Sequence, residues 1–495
     1  MPTINNFSGG IATDIRELST NKFALVKNFD IYSQDRLIPY KGLAEEVAQS
    51  PGMTSFRISD VVYNVNSSDT GAEWGLGVND ESGIKGKIFK KVDGTFMYMT
   101  GNTGTSIPIP GTLINYNQKL YFLCKSNGAN ATELWEFDTT AEALTYTKIG
   151  TVSDYNAIIP RPFVHPTDSI LYIAAGHTIA KYDGSNFMAS AKAISDASLV
   201  VTSLTQYDLY LAISCAPNSL GRNSLVLLWG RDTSLSLFQA SIDFGEGALM
   251  MLENIGGTLI GISGVELTGL GSSYVENPRV IIRGYSGGSA QEIKSLYATG
   301  EYTGISLSHI KARLGDKLYF VMGLKVQNVS VVQLWILGKD KNGSWFMSPD
   351  RSLRNDTAIQ IGSMVRNFNF IGDHLFVAHN DYTLMSTSTT YPNSTYDSLI
   401  NPNMAIEDRG KRKKLKAVSV TSMTGGAIIF KYRFGLEAWA TILSEALAAN
   451  STMEATAEVT GQPFGEGVDL QFEIVSSGTD IVEFKYDYEV IKTQI

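Results

Sequence analysis

The feature that most constrains this fold is a recurring element in which a polar turn precedes a short apolar strand. Its six copies cover residues 119–122, 169–172, 208–211, 257–260, 316–319 and 373–376. Their leucines lie about 40 to 60 residues apart, a spacing typical of four-stranded propeller blades. Each copy is therefore predicted to be an inner strand of one blade.

A second kind of apolar strand, rich in Trp and other aromatics, follows several copies. Residues 133–137 and 333–337 are examples, and strands of this kind pack between neighbouring blades. A divergent first unit around residues 58–100 brings the total to about seven. The predicted fold class is all-β, with a β-propeller of about seven blades, because radial repetition buries each sheet against its neighbours. Stacked β-sandwiches are the alternative.

Turn dipeptides support antiparallel hairpins. Three of them supply the residues with positive φ that a type I′ hairpin requires, and each is flanked by strand-like sequence. They are Asp93-Gly94, Asp183-Gly184 and Asn342-Gly343.

The two ends of the chain differ from its middle. Residues 1–50 have too few apolar side chains for a core of their own and are predicted to be an extended arm that straps onto something else. Residues 51–405 are predicted to form the propeller, and residues 406–495 are predicted to form a small β-sandwich because they alternate apolar and polar side chains. Within the latter, residues 439–449 have a helix-like spacing of apolar side chains, which fits a helix or a loop.

Composition narrows the class of protein. Charged residues make up 18% of the chain, so Ser, Thr, Asn and Gly must supply much of the surface, which favours polar β-hairpins. Acidic residues exceed basic ones and give a net charge of −9. This argues against a protein that wraps nucleic acid through a general positive field, because neutralising phosphates needs many Lys and Arg on one surface.

Cysteine usage and hydropathy exclude other classes. Cys124 and Cys215 each lie in an apolar run and are predicted to be buried free thiols rather than a disulfide. No apolar run approaches the length of a membrane-spanning helix, and the first thirty residues lack the apolar stretch of a secretory signal. We expect no membrane insertion and no export by the general pathway.

One motif suggests a serine nucleophile. Residues 284–288 match Gly-x-Ser-x-Gly, with Ser286 as the candidate. That chemistry needs a strained strand-to-helix turn, and the surrounding sequence lacks alternating strands and helices. The interpretation we favour is a Gly-rich hairpin.

A second motif resembles the Asp box of sialidase propellers. Residues 67–74 fit Ser-x-Asp-x-Gly-x-x-Trp, in which Trp74 packs behind the hairpin. The motif occurs once and supports a propeller blade rather than catalysis. A glycosidase would also need paired carboxylates, or a Tyr and Glu with an arginine cluster.

No cofactor or metal is predicted. The five histidines are His165, His177, His309, His374 and His379, and they lack metal-ligand spacing. Residues 340–343 begin like a calcium loop without its twelfth-position Glu, and no phosphate-binding loop is present.

The chain contains one dense positive cluster. Its members are Arg409, Lys411, Arg412, Lys413, Lys414 and Lys416. The favoured interpretation is a solvated strand edge that discourages edge-to-edge pairing. The alternative is a contact with an acidic partner surface or with passing DNA.

The N-terminal arm carries a resemblance to a known family. Residues 5–14 read Asn-Asn-Phe-Ser-Gly-Gly-Ile-Ala-Thr-Asp, followed by Asn-Phe-Asp-Ile at 28–31 and Leu-Ile-Pro-Tyr-Lys-Gly at 37–42. This pattern resembles the opening of tailed-phage structural proteins, above all the propeller-containing tail proteins that include the nozzle of short tails. The sequence departs from the family pattern at Tyr40 and in its acidic middle.

The resemblance implies a structural, non-enzymatic virion protein that is made in the host cytoplasm and assembles as a hexameric ring at the tail. It implies contacts with tail adaptor, tube or fibre proteins and transient passage of DNA. Subunit contacts would involve the arm residues Phe7, Gly9, Gly10 and Ile11. The alternative function is a host-surface glycan-binding or sialidase-like propeller.

Overall fold

A computed structural model gives the fold of most of the chain, and every regular element in the described part is a β-strand. The described residues are 3–4, 23–27, 29–30, 38–39, 43–45, 48–49, 56–64, 72–79, 85–93, 95–98, 110–126, 130–138, 146–154, 160–218, 221–234, 237–265, 276–277, 279–297, 302–326, 329–339, 343–356, 365–372, 374–379, 384–387, 399–402, 412–434, 437–456, 464–467 and 470–491.

The first fifty residues contribute six short strands. They are β1 (Thr3–Ile4), β2 (Phe23–Lys27), β3 (Phe29–Asp30), β4 (Ile38–Pro39), β5 (Leu43–Glu45) and β6 (Ala48–Gln49). Of these, β3 and β4 pair with each other, and the other four each join a larger sheet formed by later parts of the chain.

Seven antiparallel sheets follow in chain order. Blade 1 contains β7 (Phe56–Asn64), β8 (Ala72–Asn79), β9 (Lys85–Val92) and β10 (Thr95–Tyr98), blade 2 contains β11 (Pro110–Tyr116), β12 (Lys119–Lys125), β13 (Thr132–Phe137) and β14 (Tyr146–Val152), and blade 3 contains β15 (Phe163–Val164), β16 (Leu171–Ala175), β17 (Thr178–Tyr182) and β18 (Phe187–Ala193). Blade 4 contains β19 (Leu199–Tyr207), β20 (Tyr210–Pro217), β21 (Asn223–Trp229) and β22 (Ala240–Glu246), and blade 5 contains β23 (Ala248–Ile255), β24 (Thr258–Val265), β26 (Arg279–Tyr285) and β27 (Gln291–Tyr297). Blade 6 contains β25 (Glu276–Asn277), β28 (Tyr302–Leu314), β29 (Lys317–Val326), β30 (Val329–Lys339) and β31 (Trp345–Asp356), and blade 7 contains β32 (Val365–Ile371), β33 (His374–His379) and β34 (Leu384–Thr387).

These sheets form a closed seven-bladed β-propeller, which confirms the predicted fold class. The first strands of blades 4, 5, 6, 7, 1 and 2 lie against each other in that order around the centre, so that β32 of blade 7 contacts β7 of blade 1. Blade 3 contacts its neighbours through β18 against β14 and β16 against β19. The six recurring sequence elements all lie at the start of the second strand of blades 2–7. Their predicted position as inner strands is therefore correct to within one strand, since the innermost strand of each blade is the one before.

The ring is closed by strands from the N-terminal arm. Blade 7 obtains its fourth strand from β5, where Met385 pairs with Glu45. The neighbouring strand β6 runs parallel to β10 at the outer edge of blade 1, where Phe96 pairs with Ala48. Two arm strands that are only two residues apart in the sequence thus join the last blade and the first.

The remaining strands form a β-sandwich. They are β35 (Leu399–Pro402), β36 (Lys413–Ser422), β37 (Gly426–Phe434), β38 (Ala440–Leu447), β39 (Ser451–Thr456), β40 (Glu466–Gly467), β41 (Leu470–Ser477) and β42 (Ile481–Val490). One sheet has the order β1-β42-β36-β39 with β40 also on β36, and the other has the order β2-β35-β41-β37-β38. Both sheets therefore take an edge strand from the arm.

Aromatic side chains fill the space between the two sandwich sheets. Phe430 and Phe472 of one sheet lie 6.1 and 6.3 Å, centroid to centroid, from Phe484 of the other. The same buried cluster continues into blades 4–6 through residues such as Trp335 and Met347. The sandwich and the propeller thus share one apolar core.

The three predicted hairpin turns all connect adjacent strands, but only one has a two-residue loop. Val92 pairs with Thr95 around Asp93, whose φ is 50°. The loop at Asp183 has four residues, because the Asp183 carboxylate accepts hydrogen bonds from the backbone N–H groups of Ser185 and Asn186. The loop at Gly343 is longer still, since Lys339 pairs with Trp345.

The predicted helix or loop at residues 439–449 is wrong. Residues Ala440–Leu447 form β38, an edge strand paired with β37. Its side chains at Ile442, Leu443 and Leu447 are buried. The register between β37 and β38 shifts between Phe430 and Lys431, so β38 has one extra residue at this point. The neighbouring residues Ile442 and Leu443 are therefore both buried, and the spacing of apolar side chains resembles that of a helix.

Both cysteines are free and buried, as predicted. Burial raises the pKa of the Cys215 thiol to about 12, and it also raises the pKa of Cys124. No helix in the described part of the chain is long and apolar enough to cross a membrane.

We expect the closing strand β5 to be required for stability. Leu43 packs against the buried cluster between blades 6 and 7. Leu43→Asp should lower the free energy of unfolding by roughly 2 kcal/mol or more, because it places an unpaired charge against apolar groups. The volume-conserving control Leu43→Met should cost less than about 1.5 kcal/mol. Equal effects in urea titrations would show that β5 does not hold the ring closed.

Candidate functional site at the centre of the propeller

A cavity with a volume of about 270 Å³ lies on the propeller axis, where the inner strands of several blades converge. Its lining comes from the inner strands and connections of blades 2–7. The lining residues are Thr112, Pro160, Arg161, Pro162, Phe163, Thr202, Ser203, Leu204, Glu253, His309, Ile310, Lys311, Ala312, Arg313, Asn367 and Asn369. Asp60 of blade 1 contacts this group through Arg161.

Backbone bulges place polar side chains in this cavity. The first strands of blades 1, 2, 4, 5, 6 and 7 each shift register against the second strand. The largest shift is in β28, where residues 308–310 oppose one residue between Leu307↔Met322 and Lys311↔Phe320. A bulge reverses the alternation of side chains beyond it and re-aims the residue that it contains. Asp60, Thr112, Thr202, His309 and Asn367 all lie in or beside such shifts.

One ion pair joins three blades across the centre. Arg161 Nη2 lies 3.0 Å from Asp60 Oδ1 and 3.0 Å from Asn367 Oδ1. Asp60 is 1% exposed and also accepts hydrogen bonds from the backbone N–H groups of Val61 and Leu113. Burial raises the pKa of the Asp60 carboxyl, and the Arg161 charge acts in the opposite direction.

A second ion pair lies on the opposite part of the lining. Lys311 Nζ is 2.6 Å from Glu253 Oε2, and it also donates a hydrogen bond to the Leu252 carbonyl oxygen. Thr205 Oγ1 donates to Glu253 Oε1 at 3.0 Å. Both carboxylates near the cavity thus have a cationic partner from another blade.

Two polar groups of the lining have no protein partner among the described residues. Thr112 Oγ1 is buried without a hydrogen bond. The His309 imidazole, held by the β28 bulge, makes no hydrogen bond to the described residues, and burial lowers its pKa to about 4. His309 is therefore neutral at physiological pH, with one donor and one acceptor nitrogen.

Apolar side chains complete the lining. Leu204 and Ile310 are almost fully buried, and Phe163 is half-buried at the start of blade 3. A concave site of this kind, with apolar walls and a few converging polar groups, is the usual form of a small-ligand site.

The predicted basic cluster is not a strand edge, so the favoured interpretation of it is wrong. Lys413 and Lys414 begin β36, which is internal because β42 pairs with one side and β39 and β40 with the other. Lys413 is 1% exposed, and Lys414 is exposed. Arg412 lies 2.7 Å from Glu466, and Lys416 lies 3.1 Å from Glu489. Arg409 and Lys411 lie outside the described residues.

The arm residues predicted to contact other subunits, Phe7, Gly9, Gly10 and Ile11, also lie outside the described residues. Ser286 is exposed in the hairpin between β26 and β27. A strand rather than a helix follows it, and Gly287 and Gly288 have positive φ. The interpretation as a Gly-rich hairpin is confirmed.

Trp74 is buried between blades 1 and 2. It is 3% exposed and lies 5.5 Å from the Phe137 ring. This is the packing role that the Asp-box pattern predicts, although residues 67–71 of that motif lie outside the described part. Among the described residues, no three His, Cys, Asp or Glu side chains form a group that could hold a metal.

Comparisons with known proteins give distant matches to solved structures. No family model and no curated protein matches this chain. A glycoside hydrolase family 43 arabinoxylan arabinofuranohydrolase from Bacillus subtilis is 10% identical with a TM-score of 0.28, over 77% of this chain and 96% of its own. An exo-β-1,3-galactanase from Phanerochaete chrysosporium is 10% identical with a TM-score of 0.31, over 91% and 100% of the two chains. A putative 6-phosphogluconolactonase from Bacteroides fragilis is 15% identical with a TM-score of 0.42, over 65% and 91%.

These neighbours correct one expectation. The prediction that the chain is not an enzyme is contradicted, because glycoside hydrolases are among the solved structures to which it is similar. At such low identities and TM-scores, the likeness assigns no reaction to this chain.

Sequence reasoning missed the central site because bulges break the period of two on which strand patterns depend. A signal was nevertheless present. Asp60 stands between Ile58 and Val61, and Asn367 and Asn369 alternate with two phenylalanines. Polar side chains inside the innermost apolar strands are the pattern that would have located the cavity.

We predict that the contacts of Arg161 with Asp60 and Asn367, called the Arg161 bridge below, stabilise the ring. Arg161→Met should lower the free energy of unfolding by about 3 kcal/mol, because it leaves the buried Asp60 carboxylate unpaired. The double variant Asp60→Asn/Arg161→Met should lose clearly less than the sum of the single losses. The control Arg222→Met removes an exposed pair with Asp196 and should cost under about 1 kcal/mol. Additive losses in the double-variant cycle would contradict a coupled pair.

We predict that His309 makes the protein less stable in acid. Its folded pKa of about 4 lies below the usual value of 6.5, so the unfolded state binds more protons between these values. Stability should therefore fall as pH decreases through this window, by roughly 2 kcal/mol from this group at pH 4.5. His309→Gln should remove that part of the loss in urea titrations at pH 7 and 4.5. If the stability of His309→Gln depends on pH in the same way as that of the wild type, the imidazole is exposed to water and the prediction is wrong.

Proposed function

We propose that this chain is a structural subunit of a phage tail, assembled as a ring in the nozzle or head-to-tail conduit. The observation that carries the proposal is the path of the N-terminal arm. The arm contains the motif that resembles tailed-phage structural proteins, and its strands join four different sheets of the same molecule.

This path fits a part that must keep its shape. Strands β1 and β2 extend the two sandwich sheets, and β5 and β6 join blades 7 and 1. Backbone hydrogen bonds of the arm thus attach the same segment of chain to the sandwich, to blade 7 and to blade 1. A conduit protein under internal pressure benefits from such fastening.

The exposed apolar side chains support subunit contacts on one propeller face. In an antiparallel blade, the turns after the first and third strands lie at the same end. Five of the seven exposed large apolar side chains among the described residues lie at such turns: Tyr63, Val92, Leu209, Leu237 and Leu314. We assign this hairpin face to the contact with the next copy of the chain in the ring.

In such a ring, DNA would not pass through the centre of a propeller. The Arg161 bridge crosses the centre of the propeller between blades 1, 3 and 7. A duplex would therefore travel along the axis of the assembled ring, between subunits, rather than through a propeller.

Electron microscopy tests this function. Purified virions should contain the chain, and a density map should place it in a six-fold ring at the tail. Leu209→Ser/Leu237→Ser should abolish ring formation in native mass spectrometry, while the sandwich control Met423→Ser should assemble normally. Finding the chain free in lysate but absent from purified virions would reject the proposal.

A second candidate is a host-surface glycan-binding or glycan-cleaving propeller. The observation that favours it is the axial cavity, whose lining includes the Glu253 carboxylate, three cationic side chains and a neutral imidazole, with the Asp60 carboxylate beside it on Arg161. A glycan array combined with a hydrolysis assay tests this candidate. The two functions are compatible, since a tail subunit can also contact the cell surface.

A further inference from the structure

We propose that the axial cavity binds one neutral, polyhydroxylated ligand, a mono- or disaccharide, through Thr112, His309 and Arg161. This inference rests on the second candidate function and names its site and its class of ligand.

The first argument is hydrogen bonding. Thr112 Oγ1 is buried without a partner. The His309 ring is half-buried at the cavity wall, and no hydrogen bond to it is found among the described residues. Arg161 makes both of its hydrogen bonds through Nη2, which leaves Nε and Nη1 as donors. Buried polar groups are costly when unpaired, so a site that collects them gains when a ligand completes their bonds.

The second argument is charge. Asp60 is paired with Arg161, and Glu253 is paired with Lys311. The third cation of the lining, Arg313, is exposed near the end of β28 and donates a hydrogen bond from Nε to the Gly315 carbonyl oxygen. An ionic ligand would have to compete with a buried ion pair, which is unfavourable. A hydroxyl group is both a donor and an acceptor, and it matches the threonine hydroxyl, the neutral imidazole and the guanidinium donors without disturbing either pair.

The third argument is size and shape. The cavity volume of about 270 Å³ is near the lower end of small-ligand pockets. Such a space suits one or two sugar rings rather than an extended chain. Phe163 and Ile310 supply an apolar wall for the C–H face of a ring.

The experiment begins with the wild-type chain on a glycan array. Saturation-transfer NMR and calorimetry follow, with glucose, galactose, N-acetylglucosamine, lactose and sialic acid. We expect binding of a neutral sugar at one site per chain. Thr112→Val keeps the shape of the side chain, and it should fold normally and weaken Kd at least fivefold. His309→Leu should weaken Kd by a similar factor, while Thr441→Val, an exposed position in the sandwich, should leave it unchanged.

The outcomes separate the site from the function. Sugar binding that survives both Thr112→Val and His309→Leu would overturn the axial site but leave a glycan-binding protein. Binding of sialic acid alone would overturn the neutral class of ligand. No binding by any of these sugars, on the array or in solution, would overturn the inference together with the second candidate function, and would leave the tail-ring proposal intact.

Discussion

The fold depends on closing a ring whose last blade is incomplete. Blade 7 supplies three strands of its own, and its edge would be open without β5 from the start of the chain. An exposed edge strand offers unpaired backbone groups to any other strand, so β5 both completes the sheet and protects it. Because the next arm strand, β6, joins blade 1, the same short segment fixes the distance between the two ends of the ring.

The junction is also fastened nearer the axis. Asn369 of blade 7 donates a hydrogen bond to the Val61 carbonyl oxygen of blade 1 at 3.0 Å. Phe376 packs edge-on against Phe96 at 6.5 Å, in a buried cluster shared by these two blades. Closer still to the centre, Arg161 links Asp60 to Asn367. Besides the pairing of the arm strands, the junction is therefore held by a side-chain hydrogen bond, an aromatic contact and the contacts of Arg161.

The sequence pattern predicted the strand element that recurs in the blades, and it missed the structural features that occur only once. The recurring turn-and-strand element located the second strand of blades 2–7, because a strand buried on both faces reads as a continuous apolar run. The pairing of β5 with β34 joins residues more than 300 positions apart, and no local pattern encodes it. Lys413 shows the same limit, since a run of basic residues reads as exposed although alternation along β36 buries one of its members. The candidate site was invisible for a third reason, because register shifts of one or two residues re-aim polar side chains within otherwise apolar strands.

The bulges that create the site also explain how a propeller tolerates charges at its centre. A regular inner strand would direct apolar side chains at the axis, and seven such strands would leave nothing to neutralise a buried carboxylate. The bulged strands bring each acid beside a cation from a different blade, so Asp60 meets Arg161 and Glu253 meets Lys311. Since each pair costs desolvation as well as gaining attraction, these contacts add little net stability, but losing either partner is expensive. The polar centre therefore requires the blades to stay in register, and the external arm and the internal ion pairs depend on each other to keep the ring closed.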